Sequence, residues 1–154
     1  MECYEGAKMI KTFRGLITDG DQDTILLHTN DGATGYRIVK FQLMAKEAGT
    51  TEYEHIVKIY KTSKATVDAE VDFSESTLLA AAYLEGNSGE HYSDQQTVIF
   101  DNEIFNQDIY VTHQDIKADP GKDCNYYFEL EQVGLNENES AMATLQSLRT
   151  VASR

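Results

Sequence analysis

Several residue types are scarce in this chain of 154 residues, and each shortage excludes a class of protein. There is one proline, no tryptophan and only two cysteines, Cys3 and Cys124. A single proline excludes a collagen-like or proline-rich rod. Two cysteines this far apart form neither a CxxC pair nor a zinc-ligand spacing, so we expect two free thiols rather than a disulfide.

Basic residues are also scarce, with 13 lysines and arginines against 26 aspartates and glutamates and a formal charge of −13. Nucleic-acid binding requires clustered basic side chains, so this composition argues against a nucleic-acid partner. It also disfavours an anionic membrane surface. We find no apolar run of transmembrane length and no signal-peptide core, and therefore expect a soluble protein that folds in a cytoplasm.

Alternating apolar and polar residues predict strands over most of the chain. The predicted strands lie at residues 8–18, 23–29, 35–46 and 51–62. The last of them has two apolar faces, which is typical of a strand covered on both sides. Residues 66–73 (TVDAEVDF) show the plainest half-buried alternation. For residues 76–86 (STLLAAAYLEG) the sequence does not decide between a helical turn and a strand. Alanine and leucine favour helix, but the segment is short and lies between predicted strands.

The densest collection of aromatic and β-branched residues lies at residues 97–133. Two β-rich runs there flank a polar loop at residues 117–123, in which Pro120 and Gly121 predict a turn. We interpret these runs as paired core strands. From Asn136 onward the period changes, and Ala141, Leu145 and Leu148 recur at helical spacing. Asn136 followed by Glu139 predicts a capping box at the start of this helix.

The whole pattern predicts an all-β fold, an antiparallel β-sandwich (jelly-roll-like) with a C-terminal amphipathic α-helix at about residues 136–152. We expect residues 1–154 to form one domain, because no linker or internal repeat divides them.

The sequence offers few groups for chemistry. Asp19, Asp21 and Asp23 alternate as calcium ligands do, but an EF-hand loop beginning at Asp19 would need glycine and glutamate at later positions that hold Thr24 and Asn30. The three aspartates therefore remain only weak candidates for a cation site, and a solvated acidic turn is the simpler interpretation. None of the motifs of nucleophilic, zinc-dependent or nucleotide-dependent enzymes is present, so we predict no cofactor and no enzyme.

Two places suit contact with a partner. The longest polar connection, residues 86–96, holds Tyr92, an aromatic residue that a surface loop would present. The predicted helix carries Leu145 and Leu148, and the sequence leaves open whether they pack on the sandwich or on a neighbour. We select Tyr92, Leu145 and Leu148 as candidate partner-binding residues.

Three pieces of the chain resemble small virion structural proteins of marine tailed bacteriophages. They are EHIVKIYKT with VDFSESTLLAAAYL, then IFDNEIFNQDIYVTH, and finally CNYYFELEQ leading to a helix with ATLQSLR. The resemblance covers approximately residues 41–149. It supplies an ordered series of similar segments and no catalytic residues.

The resemblance implies a multi-copy virion component that is assembled in the host cytoplasm. Capsid decoration, in which the protein acts as a cement on the major capsid protein, is the preferred role. The alternative is a tail-associated component or a module that binds carbohydrate on the host surface. Either role predicts virion proteins as partners, a possible homo-oligomer, and no contact with nucleic acid or membrane.

Overall fold

A computed structural model describes residues 8–49, 52–87 and 94–152, with side chains as far as Ser147 in the last range. The described part contains eight strands and one helix. They are β1 Ile10–Ile17, β2 Gln22–Ile25, β3 Thr34–Ala45, β4 Tyr53–Tyr60, β5 Leu78–Gly86, β6 Asp94–Ile99, β7 Ile109–Asp115, β8 Cys124–Gly134 and α1 Glu137–Ala152.

The strands form two antiparallel sheets, in the orders β1-β8-β3 and β2-β7-β4-β5-β6. In a jelly roll the first strand lies beside the last, the second beside the seventh and the fourth beside the fifth, and all three pairings occur here. The sixth strand departs from that plan, because it is hydrogen-bonded to β5 rather than to β3. The predicted β-sandwich with a C-terminal helix is confirmed.

The core lies between the two sheets and is built from alternate residues of each strand. In β8 the inward side chains include Phe128 and Leu130, which are fully buried. A β-bulge between Ile38 and Lys40 shifts the alternation of β3, so Ile38 and Phe41 both reach the core. Strict alternation would place Val39 on the face of Phe41, and the bulge, an extra residue on one strand, is the reason for the difference.

The two β-rich runs of residues 97–133 are not paired with each other. Strand β7 is hydrogen-bonded to β2 and β4, whereas β8 is hydrogen-bonded to β1 and β3. The two strands therefore face each other across the core from different sheets. The expectation that these runs are paired core strands was wrong in their pairing, because the intervening loop crosses from one sheet to the other.

The strand predicted at residues 66–73 is also wrong, since residues 61–77 form an irregular segment, which we call the strap. The strap cannot pair with β4, the strand it follows, because β4 is already flanked by β7 and β5. Its aspartates bond to nearby backbone instead: Asp68 accepts from the Glu70 N–H at 3.1 Å and Asp72 from the Ser74 N–H at 2.9 Å. Such local bonds compete with a strand ladder.

The ambiguous segment that follows is strand β5. Its alanines and leucines are buried on both faces, and the strand lies between β4 and β6. Tertiary packing thus overrides the helix propensity of alanine. The helix begins as predicted: the Glu139 N–H donates to Asn136 Oδ1 at 2.9 Å and the Asn136 N–H to Glu139 Oε1 at 3.4 Å.

Candidate functional site

Helix α1 is held against the sandwich by a polar anchor. Asn106 is fully buried, and its Nδ2 lies 3.0 Å from the Gly32 carbonyl oxygen, 3.2 Å from the Ser140 carbonyl oxygen and 2.9 Å from Thr144 Oγ1. Ser147, one turn further along, is also buried. Residues 140, 144 and 147 lie on one face of a helix, so α1 contacts the sandwich through serine and threonine.

The described part of the apolar stripe of α1, which consists of Ala141, Met142 and Leu145, faces solvent. Met142 is 62% exposed and Leu145 is 54% exposed, while Ala141 beside them is also exposed. Burying a methionine or leucine side chain contributes about 1.5–3 kcal/mol to stability. Met142 and Leu145 would therefore stabilise a complex in which a partner covers them. The arrangement reverses the usual amphipathic helix, whose apolar side packs inward.

Of the candidate partner-binding residues, only Leu145 can be placed, and it lies in this exposed stripe. Tyr92 and the side chain of Leu148 lie outside the described residues. Their roles stay predictions. The sequence did not reveal the anchor, because Asn106 stands in an ordinary polar turn (FNQD) and its three acceptors come from segments distant in sequence.

The three aspartates of the β1–β2 turn point to different partners. Asp19 Oδ1 accepts from the Asp115 N–H at 2.7 Å, and Asp21 Oδ1 accepts from the Gln22 N–H at 2.9 Å. Asp23 Oδ2 accepts from the Tyr126 hydroxyl at 2.9 Å. Within residues 8–49, 52–87 and 94–152 no group of three or more histidine, cysteine, aspartate or glutamate side chains could hold a metal ion.

Two histidines form a buried pair on the inner face of the five-stranded sheet. His55 Nδ1 lies 2.8 Å from His113 Nε2, both side chains are fully buried, and the ring of Tyr53 stacks on His55 at 5.0 Å. Burial and the neighbouring His113 lower the pKa of His55 from 6.5 to about 4, although Asp115 opposes the shift. Burial also lowers the pKa of His113. The pair is therefore neutral near pH 7.

A buried lysine holds the strap on the outer face of the same sheet. Lys58 is 1% exposed, its Nζ lies 2.8 Å from Asp68 Oδ1 and donates to the Glu70 carbonyl oxygen, and it stands 5.5 Å from the centre of the Tyr60 ring. Burial lowers the pKa of Lys58, but Asp68 and the Tyr60 hydroxyl raise it by more. A lysine inside the apolar run HIVKIY was the sequence signal for this contact.

The fold and these contacts define the class: an antiparallel β-sandwich protein with an appended helix that presents an apolar stripe. The chain matches no known family model and none of the curated proteins. In the described part of the chain, no helix is long and apolar enough to span a membrane.

Proposed function

We propose that this chain is a non-enzymatic structural protein of a bacteriophage virion, and that its preferred role is capsid decoration. The exposed apolar stripe of α1 carries the proposal, because it offers a surface for a partner that its own sandwich does not cover. The resemblance of residues 41–149 to phage virion proteins supports the same role.

The chemistry of the stripe indicates what kind of surface it would meet. The first turn of α1 carries Glu137 and Glu139, and the whole chain has a formal charge of −13. The partner we expect is therefore an apolar depression of the major capsid protein that is bordered by basic side chains. A small apolar contact of this kind becomes firm when copies that are joined in an oligomer bind to the lattice together.

A double variant tests the stripe. Met142→Ser with Leu145→Ser removes its apolar side chains, and we expect co-sedimentation of the purified protein with capsids to weaken at least about tenfold. Leu26→Ser is the matched control, since Leu26 is a large apolar side chain that is 73% exposed and belongs to the β2–β3 connection rather than to α1. Unchanged binding of the double variant would exclude the helix as the docking element.

A cryo-electron microscopy map of the intact particle tests the role itself. Density for this protein at regular positions on the capsid lattice is the expected result. Density along the tail axis would instead favour the tail-associated alternative. Copy number per particle separates the same two outcomes, because a decoration protein occurs once for every capsid subunit or every few subunits.

A further inference from the structure

The outer face of the three-stranded sheet carries a groove that α1 does not use. Its volume is about 690 Å³, within the usual range for a ligand site. Tyr127 and Asn125 of the central strand β8 form its floor. Arg14 of β1 and Gln42 of β3 lie opposite Tyr127 on either side. The groove is therefore a cross-strand array rather than a cleft between loops.

A second cross-strand row and a neighbouring strand complete the groove. Leu16 and Met44 lie opposite Asn125, and they are 47% and 68% exposed. Gln95 of β6 lines the groove as well. Neighbouring strands lie about 4.8 Å apart and alternate residues about 6.7 Å apart, so the two rows cover an area of about 10 Å by 7 Å. That area suits one or two sugar rings.

Hydrogen-bonding capacity in the groove is unused. Within the described residues the side chains of Arg14, Gln42, Gln95 and Asn125 have no hydrogen-bond partner. Each of the three amides offers both a donor and an acceptor, and the guanidinium offers donors only. Neighbouring hydroxyl groups of a saccharide, which donate and accept at once, match such a set of amides.

The aromatic ring on the floor is fixed in position. The Tyr127 hydroxyl donates to Glu129 Oε2 at 2.8 Å. Lys40 Nζ lies 5.9 Å from the centre of the ring, and the ring is still partly exposed, so an apolar ligand face can stack on the part that Lys40 does not cover. The C–H face of a pyranose is such a surface, and Leu16 and Met44 supply further apolar contact on both sides.

The charge of the groove excludes other ligand classes. The described lining residues include one guanidinium and no carboxylate, although the chain has 26 acidic residues. A cation would find no free carboxylate there, because Glu129 beside Tyr127 is paired with Lys40. A polyanion would meet only Arg14 and that paired lysine in a strongly acidic protein. We propose that this groove binds a neutral saccharide, with Tyr127 as the stacking platform and Gln42, Gln95 and Asn125 as the hydroxyl-binding groups.

The proposed saccharide groove and the helix stripe lie toward opposite ends of β8. Asn125 and Tyr127 are near the start of that strand, and α1 begins three residues after its end at Gly134. Seven residues of strand separate Tyr127 from Gly134, which is about 23 Å. A copy that docks through α1 can therefore keep its groove free, and saccharide binding does not depend on the proposed capsid role.

Purified full-length protein on a broad printed array of neutral and acidic glycans tests the proposal. We expect binding to neutral glycans with dissociation constants of about 1 mM or below. A hit is then titrated by two-dimensional NMR, and the largest shifts should fall on Gln42, Asn125 and Tyr127. Binding to no glycan, or to acidic glycans only, overturns the proposal.

Matched tyrosine variants locate the site. Tyr127→Ala should weaken binding of the hit at least about tenfold, because it removes the stacking platform. Tyr83→Ala is the control: the Tyr83 hydroxyl likewise donates to a glutamate two residues on, Glu85, at 2.8 Å, but it lines a different groove. Gln42→Ala provides a second test at an exposed side chain. Equal binding by Tyr127→Ala and Tyr83→Ala, or shifts confined to residues outside the groove, contradicts the assignment.

Discussion

The two sheets of the sandwich treat their outer faces in opposite ways. The outer face of the five-stranded sheet is sealed at its centre, where Ile56, Lys58 and Tyr60 of β4 are each at most 6% exposed. The outer face of the three-stranded sheet is open, and Leu16 and Met44 are about half exposed or more. The sealed face uses its polar groups in internal contacts, whereas the open face leaves Arg14, Gln42 and Asn125 available to a ligand.

This contrast separates stability from binding. The sealed sheet contains a buried lysine on one side and a buried histidine pair on the other, and groups of that kind are costly when a partner is lost. The open sheet contains no comparably buried charge on its described outer face. Changes to the sealed sheet should therefore alter folding, and changes to the open face should alter binding alone.

The largest expected effect concerns pH and the buried histidine pair. In the unfolded chain, His55 takes up a proton as the pH falls below its ordinary pKa of 6.5. In the folded protein its pKa is about 4, so it stays neutral to a much lower pH. Stability is therefore fully present above pH 6.5 and falls as the pH drops toward 4, by about 3 kcal/mol for this group. Urea unfolding at pH 7.5 and pH 4.5 measures the loss.

Two variants assign that loss to the pair. His55→Gln should flatten the decline between the two pH values, because glutamine takes up no proton. His28→Gln is the matched comparison, since the His28 side chain is 57% exposed and lies outside the buried pair. If His55→Gln retains the full decline, other groups of the sandwich cause it.

The next effect compares two lysines that lie over tyrosine rings. Lys58 stands over Tyr60 on the sealed face, and Lys40 stands over Tyr127 on the open face, 5.9 Å from the ring centre. Lys58→Met should lower the free energy of unfolding by about 2 kcal/mol. This loss is smaller than for a fully buried ion pair, because Asp68 is half exposed and water can hydrate it once Lys58 is gone. Lys40→Met should change it by about 0.5 kcal/mol or less, because its ion pair is exposed.

Chemical denaturation measures both changes, and limited proteolysis shows where the structure loosens. In Lys58→Met we expect new cleavage within the strap, residues 61–77, because its central contact is gone. Comparable loss of stability in both variants would contradict the distinction between sealed and open faces.

How far the sequence predicts this molecule depends on the range of the contacts involved. Alternation and capping are local, so β3, β4 and α1 were predicted from their own residues. The irregular structure of the strap was not predicted. The alternation of apolar and polar residues at 66–73 is the same whether this segment joins a sheet edge or lies across the face of a sheet. Only the position of β4 between two neighbours, a property of the whole topology, decides that question.

The candidate sites show the same limit. Leu145 was found because helical spacing is visible in the sequence, but which side of α1 packs inward depends on Asn106, more than thirty residues earlier. The saccharide groove was missed for a similar reason. Arg14, Gln42 and Tyr127 become neighbours only through the register of β1, β8 and β3.

A smaller effect is expected from the helix itself. Truncation after Gly134 removes α1 together with Leu135, which packs against Gly35. Asn106 then loses its hydrogen bonds to the Ser140 carbonyl oxygen and to Thr144 Oγ1. We expect the sandwich to fold with a loss of about 1–2 kcal/mol, since the helix as far as Ser147 contributes hydrogen bonds and leaves its larger apolar side chains, Met142 and Leu145, exposed. Circular dichroism and thermal unfolding measure this change, and failure of the truncated chain to fold would show that α1 belongs to the core.

The smallest effect is expected on the open face. Met44→Ser and Gln42→Ala should each change the free energy of unfolding by about 0.5 kcal/mol or less, because exposed side chains without internal partners contribute little. Ala81→Ser, on the sealed outer face, places a hydroxyl where the side chain is only 7% exposed and should cost more, about 1–2 kcal/mol. Urea denaturation of the three variants compares them directly. If the open-face variants are destabilised as much as Ala81→Ser, that face takes part in folding, and a loss of saccharide binding in them could no longer be assigned to the groove.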